Sequence, residues 1–354
     1  MSTVNKQKRV SRRAWIGKVL GLAVIFSLFA VMAVTVAEPQ RYVFVNKWGS
    51  FGTGGGQFNN PYGVTVDNQG NVYVADTFNN RIEKFTNNGN FLMEWGTYGT
   101  SKGQFNYTMG VTVDSSGIVY VADSCNSRIQ EFTSEGVFVM SFGVNGSADG
   151  QFIYPYDIAI DKLGNLYVTD AGNDRIQEFT SSGVFIRGWG TNGTGDGQFH
   201  YPHGIAINSA GNIYVGDYDN HRVQEFTADG KYIRQFGSPG VGAGQFSTVK
   251  SVAVDKSGNV YAADYYNNRI QEFTSTGQFI GTWGTKGTGD GQFSMPKGVA
   301  IDQSGNIYIA DTGNSRIQKF AVEKPLTPPS TSLIAAEVIP LAVAVTIATL
   351  KMPH

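Results

Sequence analysis

The sequence predicts an all-β fold, a six-bladed β-propeller with four antiparallel strands in each blade. Glycine is abundant, with 45 residues among 354, and aromatic residues make up 13% of the chain. A unit of constant length recurs six times between residues 41 and 321. Each unit holds four short runs of β-forming residues separated by turn-forming residues, and none has the periodicity of an amphipathic helix. A repeat of this size built from short strands is typical of a propeller blade.

The chain begins with a basic segment and an apolar one. Residues 1–40 hold six Lys or Arg and one acidic residue, and the 19 residues of segment 19–37 include no charge. A helix of that length spans ~28 Å, close to the thickness of a bilayer core. We therefore expect a cytoplasmic segment at 1–18 and a transmembrane anchor at 19–37, with the rest of the chain outside the cytoplasm. The alternative is a signal segment cleaved before Glu38, which would give a secreted protein.

Residues 41–321 hold the repeats and predict one β-propeller. Phenylalanine follows Gly-Gln at a constant spacing of 47 residues, from Phe58 to Phe293. In the first unit the predicted strands are 63–67, 71–76, 81–86 and 90–96. The segments DNQG at 67–70 and TNNG at 86–89 have a capping side chain first and glycine fourth. That order favours a type I turn followed by a left-handed residue, so each blade should be a meander with tight turns.

The strand count predicts how the ring closes. The fourth strand ends with an aromatic residue in five units, and the sixth unit reaches a proline-rich segment instead. The five are Trp95, Phe142, Trp189, Phe236 and Trp283. Trp48, in segment 41–49, precedes Trp95 by the same 47 residues. We therefore expect the N-terminal strand to complete the last blade, and the six aromatic side chains to pack between blades.

Two segments follow the repeats. Residues 322–332 are rich in Pro, Ser and Thr, which predicts an extended linker. Residues 333–350 are mostly apolar, although Glu337 and Pro340 interrupt them. We expect a second membrane segment or a sorting tail there, with an amphipathic surface helix as the alternative.

The segments VYVADTFNNRIEKF, LYVTDAGNDRIQEF and VYAADYYNNRIQEF resemble NHL repeats across residues 41–321. This resemblance implies a six-bladed β-propeller, and it says little about function because one fold hosts many functions. In the first unit Asp76, Asn79 and Arg81 lie on the predicted turn between the second and third strands. An active site is needed once, whereas this pattern occurs in every blade, so we expect it to be structural. Its Asp and Arg members are Asp76, Arg81, Asp123, Arg128, Asp170, Arg175, Asp217, Arg222, Asp264, Arg269, Asp311 and Arg316.

Functional residues are expected where the units differ. The crossing into the first strand and the turn between the second and third strands share one face of a propeller. The residue that opens the innermost strand varies, and so do the two residues after the repeated Asp. We expect these positions to form a solvent-exposed ligand-binding rim, because tyrosines at such positions are typical of recognition surfaces. The predicted rim residues are Tyr62, Met109, Tyr156, His203, Tyr218, Asp219, Lys250, Tyr265, Tyr266 and Lys297.

Three of the four histidines fall in one unit. His200 and His203 lie on the crossing into it and His221 on its turn, so all three are expected on the same face. Three imidazoles can bind a metal, which leaves zinc or calcium open. No acidic ligand accompanies them in the repeat pattern, and no cofactor is predicted.

Charge narrows the choice of partners. The repeats carry 19 Lys or Arg against 25 Asp or Glu, and a mildly acidic domain is a poor partner for nucleic acid. We predict a membrane-tethered, extracytoplasmic module that binds a protein, peptide or glycan without catalysis. One alternative is a metal-dependent lyase or hydrolase centred on the channel, with His203, Lys250 and Lys297 as its ionisable groups. The other is a structural protein of the cell envelope.

Overall fold

The computed structural model describes residues 42–323, which form a β-propeller. The predicted anchor at 19–37 and the apolar tail at 333–350 lie outside the described residues, as does most of the linker at 322–332. No helix within 42–323 has the length and apolar character needed to cross a membrane.

Six four-stranded antiparallel sheets make up the described residues, and each sheet is one blade. The innermost strand of each blade contacts that of the next blade, and β22 contacts β2, so the sheets form a ring. In chain order the strands are β1 (Tyr42–Trp48), β2 (Pro61–Val66), β3 (Val72–Asp76), β4 (Arg81–Phe85), β5 (Phe91–Trp95), β6 (Thr108–Val113), β7 (Val119–Asp123), β8 (Arg128–Phe132), β9 (Phe138–Phe142), β10 (Pro155–Ile160), β11 (Leu166–Asp170), β12 (Arg175–Phe179), β13 (Phe185–Trp189), β14 (Pro202–Ile207), β15 (Ile213–Asp217), β16 (Arg222–Phe226), β17 (Tyr232–Phe236), β18 (Val249–Val254), β19 (Val260–Asp264), β20 (Arg269–Phe273), β21 (Phe279–Trp283), β22 (Val299–Ile301), β23 (Ile307–Asp311) and β24 (Arg316–Val322).

The N-terminal strand closes the ring, as predicted. The last blade has the order β1-β24-β23-β22, and β1 pairs antiparallel with β24 from Tyr42 opposite Val322 to Trp48 opposite Ile317. The register shifts once, between Phe44 and Asn46, which is a bulge in an outer strand. Because β1 pairs with β24, the last blade has the same four strands as the others.

Turn chemistry fixes the connections within blades. Asp67 Oδ1 accepts the backbone N–H groups of Gln69 and Asn71, and Gly70 has a φ of 87°. A residue with a Cβ would be strained at that angle, which explains the glycine in the turn. Between the second and third strands, four blades have a single turn of 3₁₀-helix. These turns are Thr77–Asn79, Ser124–Asn126, Ala171–Asn173 and Thr312–Asn314.

The core lies between neighbouring blades. Trp48 of the last blade packs against Phe85 of the first, with ring centroids 5.9 Å apart, and against Tyr308 at 6.3 Å. Each of the other aromatic residues that end a fourth strand packs in a cluster shared by two blades. The predicted role of these six residues as core between blades is therefore confirmed. This stacking holds the innermost strands, and the residues that open them, around one channel.

Candidate functional site

The repeated Asp, Asn and Arg residues build structure. Asp76 is fully buried, and its carboxylate accepts hydrogen bonds from the Asn59 backbone N–H, the Asn79 amide and Arg81 Nε. Equivalent bonds recur in the other five blades. The left-handed residue of this turn is Asn80, with a φ of 54°, while Asn79 donates to the Asp76 carboxylate and to the Gly52 carbonyl.

The residues that open the innermost strands do not form a solvent-exposed rim. Tyr62, His203 and Lys250 are 3%, 1% and 8% exposed, and Tyr156 and Lys297 are half-buried. Their side chains converge because the six innermost strands surround one axis, so residues from opposite blades meet across it. With Tyr218 and Tyr265 they form a cluster that we name the channel mouth. The prediction that all of these positions face solvent is wrong, because Tyr62, His203 and Lys250 are buried.

His203 lies at the centre of the channel mouth. Its ring is stacked between Tyr156, at 3.9 Å between centroids, and Tyr218, at 4.2 Å. Its Nδ1 lies 3.4 Å from Tyr62 Oη and 3.3 Å from Lys250 Nζ. Burial and the neighbouring lysine charges hold the pKa of His203 well below its usual value. The imidazole is therefore neutral, and its Nε2 has no hydrogen-bond partner among residues 42–323.

Two lysines face aromatic rings at the channel mouth. Lys250 Nζ lies 4.0 Å from the centroid of Tyr218 and 5.3 Å from that of Tyr265. Lys297 Nζ lies 5.2 Å from the centroid of Tyr62 and donates to Asn60 Oδ1 at 2.5 Å, and it forms no ion pair with a carboxylate of residues 42–323. Burial, together with the charge of Lys297, lowers the pKa of Lys250 to about 7, and burial lowers the pKa of Lys297 to about 8. Cation–π contacts are what hold these ammonium groups among the rings.

Asp157 and Ser251 are site residues that the sequence analysis missed. Four blades have glycine directly after the repeat position of Tyr62, at 63, 110, 204 and 298. A Cβ there would collide with the next blade: at Gly63 it would lie 2.5 Å from the Met109 carbonyl oxygen. Asp157 and Ser251 replace that glycine in two blades and line a channel cavity of about 260 Å³. Burial raises the pKa of Asp157 to about 7, although the N–H groups of Ile158 and Ile205 donate to it. In the sequence, these two residues could have been recognised because each replaces a glycine that four of the six units share.

Three more tyrosines were missed, at the position two residues before each strand-opening residue. Tyr107, Tyr154 and Tyr201 have φ values of 61°, 52° and 58°, in the left-handed region that bulky residues avoid. Tyr107 and Tyr154 are exposed. We name these three residues the tyrosine arc. The sequence contained a signal for the tyrosine arc, because the same repeat position is aromatic in three consecutive units.

The tyrosine arc and the channel mouth share one surface. Tyr201 lies 6.4 Å from Tyr156 and 6.0 Å from His203 between ring centroids. A cavity of about 200 Å³ is lined by Met109, Ser124, Cys125, Tyr154, Tyr156 and Tyr201. Of the remaining predicted rim residues, Tyr266 and Asp219 are exposed, and Tyr266 packs edge-on against Tyr265. An aromatic surface therefore runs from Tyr154 and Tyr201 of the arc to the channel mouth.

The predicted grouping of His200, His203 and His221 is not found. His203 is enclosed by tyrosines, whereas the exposed His200 imidazole lies 3.8 Å from an Asp219 carboxylate oxygen. His221 occupies the left-handed turn position, with a φ of 55°. Among residues 42–323, no three His, Cys, Asp or Glu side chains form a group that could hold a metal ion.

Comparison with known proteins identifies the repeats. A family model described as "NHL repeat" matches residues 58–85, 105–132, 152–179, 199–226, 246–273 and 293–320. Over 54 residues the chain is 44% identical to the B-box type zinc finger protein ncl-1 of Caenorhabditis elegans, a match that covers 15% of this chain and 6% of that protein. The chain therefore spans only a small part of the length of this curated relative.

Solved structures share the fold. A streptogramin B lyase superposes with a TM-score of 0.57 at 15% identity, covering 80% of this chain and 98% of the lyase. A protein of unknown function from Bacteroides thetaiotaomicron gives a TM-score of 0.62 at 18% identity, covering 80% of this chain and 76% of that one. At these identities the likeness concerns the fold alone. Each blade contains one of the six matched segments, and the chain therefore belongs to the NHL-repeat proteins that form six-bladed β-propellers.

Proposed function

We propose that the chain is a non-catalytic binding module, which recognises a peptide, protein or glycan on the surface formed by the tyrosine arc and the channel mouth. The observation that carries this proposal is the left-handed backbone of Tyr107, Tyr154 and Tyr201. A left-handed conformation costs a residue with a Cβ roughly 1 kcal/mol. In the first blade Asn60 occupies the equivalent position, and asparagine tolerates this conformation well. Tyrosine is thus present despite a conformational cost, which supports a role for its exposed ring.

The chemistry of the surface supports a ligand that stacks on aromatic rings. Tyrosine buries a large apolar area at small loss of side-chain entropy, and its hydroxyl offers a hydrogen bond. Tyr154 and Tyr201 flank the cavity of about 200 Å³, which has room for one side chain or one sugar ring. Tyr266 extends the aromatic surface on the far side of the channel mouth, where its side chain is 56% exposed.

The proposal is tested with the full chain, kept in solution by a non-ionic detergent that lacks a sugar headgroup. Wild type and variants are applied to an array of immobilised glycans and an array of synthetic peptides. The double variant Tyr154→Ala, Tyr201→Ala should bind its cognate probes at least about tenfold more weakly than wild type, since aromatic anchors dominate such contacts. Leu163→Ala is the control, because Leu163 is 87% exposed on the opposite end of β10. Equal binding by all three proteins, or no binding to either array, would contradict the proposal.

Catalysis as a lyase or hydrolase at the channel mouth is the second candidate. Lys250 has a pKa of about 7, so this amine can donate or accept a proton near neutral pH, and it lies 3.3 Å from His203 Nδ1. One solved structure with this fold is a streptogramin B lyase. Incubation of the full chain with streptogramin B, followed by mass spectrometry, separates the candidates. A ring-opened product that disappears with Lys250→Met would favour the enzyme, and an unchanged substrate is expected for a binding module.

We also propose that the propeller lies outside the cytoplasm and is tethered to the membrane by residues 19–37. The basic residues before this uncharged segment support that orientation. Protease added to intact cells should then digest the propeller, and full protection would contradict the orientation.

A further inference from the structure

We propose that the channel mouth is a carboxylate-binding site, in which Lys250 and Lys297 receive the anionic group of a ligand that lies on the tyrosine arc. The inference rests on the proposed function and adds the chemical class of the ligand. The group recognised is a carboxylate, which the ligand could carry either on a uronic-acid sugar or on a peptide-like molecule. Its basis is that two lysine ammonium groups lie near the same tyrosine ring and neither is paired with a carboxylate of residues 42–323.

The buried arginines elsewhere in the propeller are paired with carboxylates. Arg81, Arg222 and Arg316 are 5–7% exposed, and each donates from Nε to a fully buried aspartate. The burial of a charge is tolerated when an opposite charge compensates for it. The ion pairs of these arginines show how the described part of the chain normally achieves this.

Lys250 lacks that compensation. It is 8% exposed, and neither it nor Lys297 forms an ion pair with a carboxylate of residues 42–323. Both ammonium groups lie within 6 Å of the Tyr265 ring centroid. The two cations therefore face a common region with excess positive charge, which an anion would neutralise.

The other titratable groups around Lys250 do not supply a close negative charge. His203 is neutral, and burial raises the pKa of Tyr62, Tyr156 and Tyr218. The pKa of Tyr265 is raised by burial and by Tyr266. Asp219 is exposed and raises the pKa of Lys250 only as a minor influence, while Asp157 faces the channel and has a pKa of about 7. The negative charge that would complete the cluster must come from outside the described residues.

A carboxylate fits the donors that are present. Two ammonium groups offer several N–H donors, and the phenol groups of the neighbouring tyrosines stay protonated and can donate as well. A carboxylate accepts several hydrogen bonds and carries a single charge. The tyrosine arc lies beside this cluster, with Tyr201 6.0 Å from His203 between ring centroids, so one ligand can stack on the arc and extend its acid group to the lysines.

Binding of a carboxylate should depend on pH with a predictable sign. Lys250 and Lys297 have pKa values of about 7 and about 8, so both are protonated at pH 6.5 and mostly neutral at pH 9. The anion binds the protonated lysines and raises their pKa values, so protons are taken up on binding near pH 7.5. Affinity for a carboxylate should therefore fall as the pH rises from 6.5 to 9, whereas affinity for an uncharged analogue should not.

The experiment uses isothermal titration calorimetry on the full chain in the same detergent. D-glucuronate is compared with D-glucose, and hippurate with its amide, so that each acid has a neutral counterpart and the two pairs separate the sugar from the peptide-like source. We expect at least one acid to bind at pH 6.5 about tenfold more tightly than its counterpart, and to lose this preference at pH 9. Lys250→Met and Lys297→Met should each abolish the preference. Lys256→Met is the matched control, because Lys256 follows the opposite end of the same strand and donates to the Gln303 carbonyl.

Each result decides the inference. Equal affinity for acid and counterpart, no binding of either acid, or an acid preference that survives both lysine substitutions would overturn the carboxylate site. Circular dichroism confirms that each variant is folded, and Lys297→Met tests the site independently of the more deeply buried Lys250. If binding on the arrays depends on Tyr154 and Tyr201 while no acid preference is found, only the carboxylate site fails. If array binding is absent as well, the proposed function fails with it.

Discussion

Arg81 shows how a buried charge is accommodated in each blade. Its Nε donates to Asp76, its two terminal nitrogens donate to the carbonyl oxygens of Thr53, Gly54 and Gln57, and further bonds go to Glu83 and Glu94. A guanidinium can satisfy so many acceptors because its donors form a fixed planar fork. The arginine thereby links the blade to the crossing that leads into it.

Glu83 departs from the pattern of the other blades, which have glutamine at this position. In the second blade, Gln130 donates from Nε2 to Asp123 and accepts the Gly103 N–H through Oε1. Glu83 accepts the Gly56 N–H but cannot donate to Asp76 when it is ionised. Burial, with the neighbouring carboxylates, raises the pKa of Glu83 to about 8.

We predict that Glu83→Gln stabilises the propeller, and more at pH 8 than at pH 5. The folded state keeps a proton on Glu83 up to about pH 8, whereas the unfolded chain releases it near its ordinary pKa of 4.5, so this glutamate costs stability as the pH rises between those values. Urea unfolding should show a gain of about 1–3 kcal/mol at pH 8 and a smaller gain at pH 5. The reverse substitution in another blade, Gln177→Glu, should destabilise with the same pH trend. A gain for Glu83→Gln that does not vary with pH would refute this reading of its ionisation.

At the scale of elements, the outer strand β1 matters because it carries a residue of the core between blades. Trp48 contacts Phe85 of the first blade and Tyr308 of the last. Trp189 makes the equivalent contacts in the middle of the chain, with centroids 6.1 Å from Phe226 and 6.2 Å from Tyr167. The outermost strand of a blade is half-exposed, so much of its attachment depends on this one aromatic side chain.

We predict that Trp48→Ala and Trp189→Ala lower the free energy of unfolding by similar amounts, each about 3 kcal/mol, since each leaves a comparable cavity between blades. Urea denaturation followed by circular dichroism measures both. A much smaller loss for Trp48→Ala would mean that β1 is only weakly attached to the last blade, in conflict with its pairing to β24.

At the scale of the whole molecule, ring closure depends on pairing between the two ends of the propeller. Strand β1 is far from β24 in sequence, and only hydrogen bonds and packing join them. Without β1, the strand β24 would present unpaired N–H and C=O groups and invite pairing with another chain.

Deletion of residues 42–48 should therefore lower the melting temperature and cause self-association. Light scattering after size-exclusion chromatography measures the second effect. Val43→Thr with Val45→Thr is the control, because these side chains are 41% and 49% exposed and the strand itself is kept. If the deletion variant remained as stable and as dispersed as the control, the described closure would be wrong.

The difference between the predicted rim and the observed channel mouth shows where sequence reasoning ends. The sequence identified which positions vary from blade to blade, but not that Tyr62 and His203, 141 residues apart, meet across the axis. Their burial depends on how six innermost strands approach one another, which no local pattern expresses. The sequence did contain a signal for Asp157, which replaces a repeated glycine, and for the tyrosine arc, which is an aromatic residue at one repeat position in three consecutive units.

The number of blades, the strands and turns within each blade, and the strand that closes the ring could be read from the amino-acid sequence. These follow from short-range chemistry repeated every 47 residues: turn residues, alternating apolar side chains and one buried ion pair in each unit. The tertiary structure was needed to show that Lys250, Lys297 and His203 are enclosed by tyrosines, and that the three histidines of one unit form no metal-binding group. Those outcomes depend on distances between blades, since the burial and ionisation of a side chain are set by neighbours that lie far away in sequence.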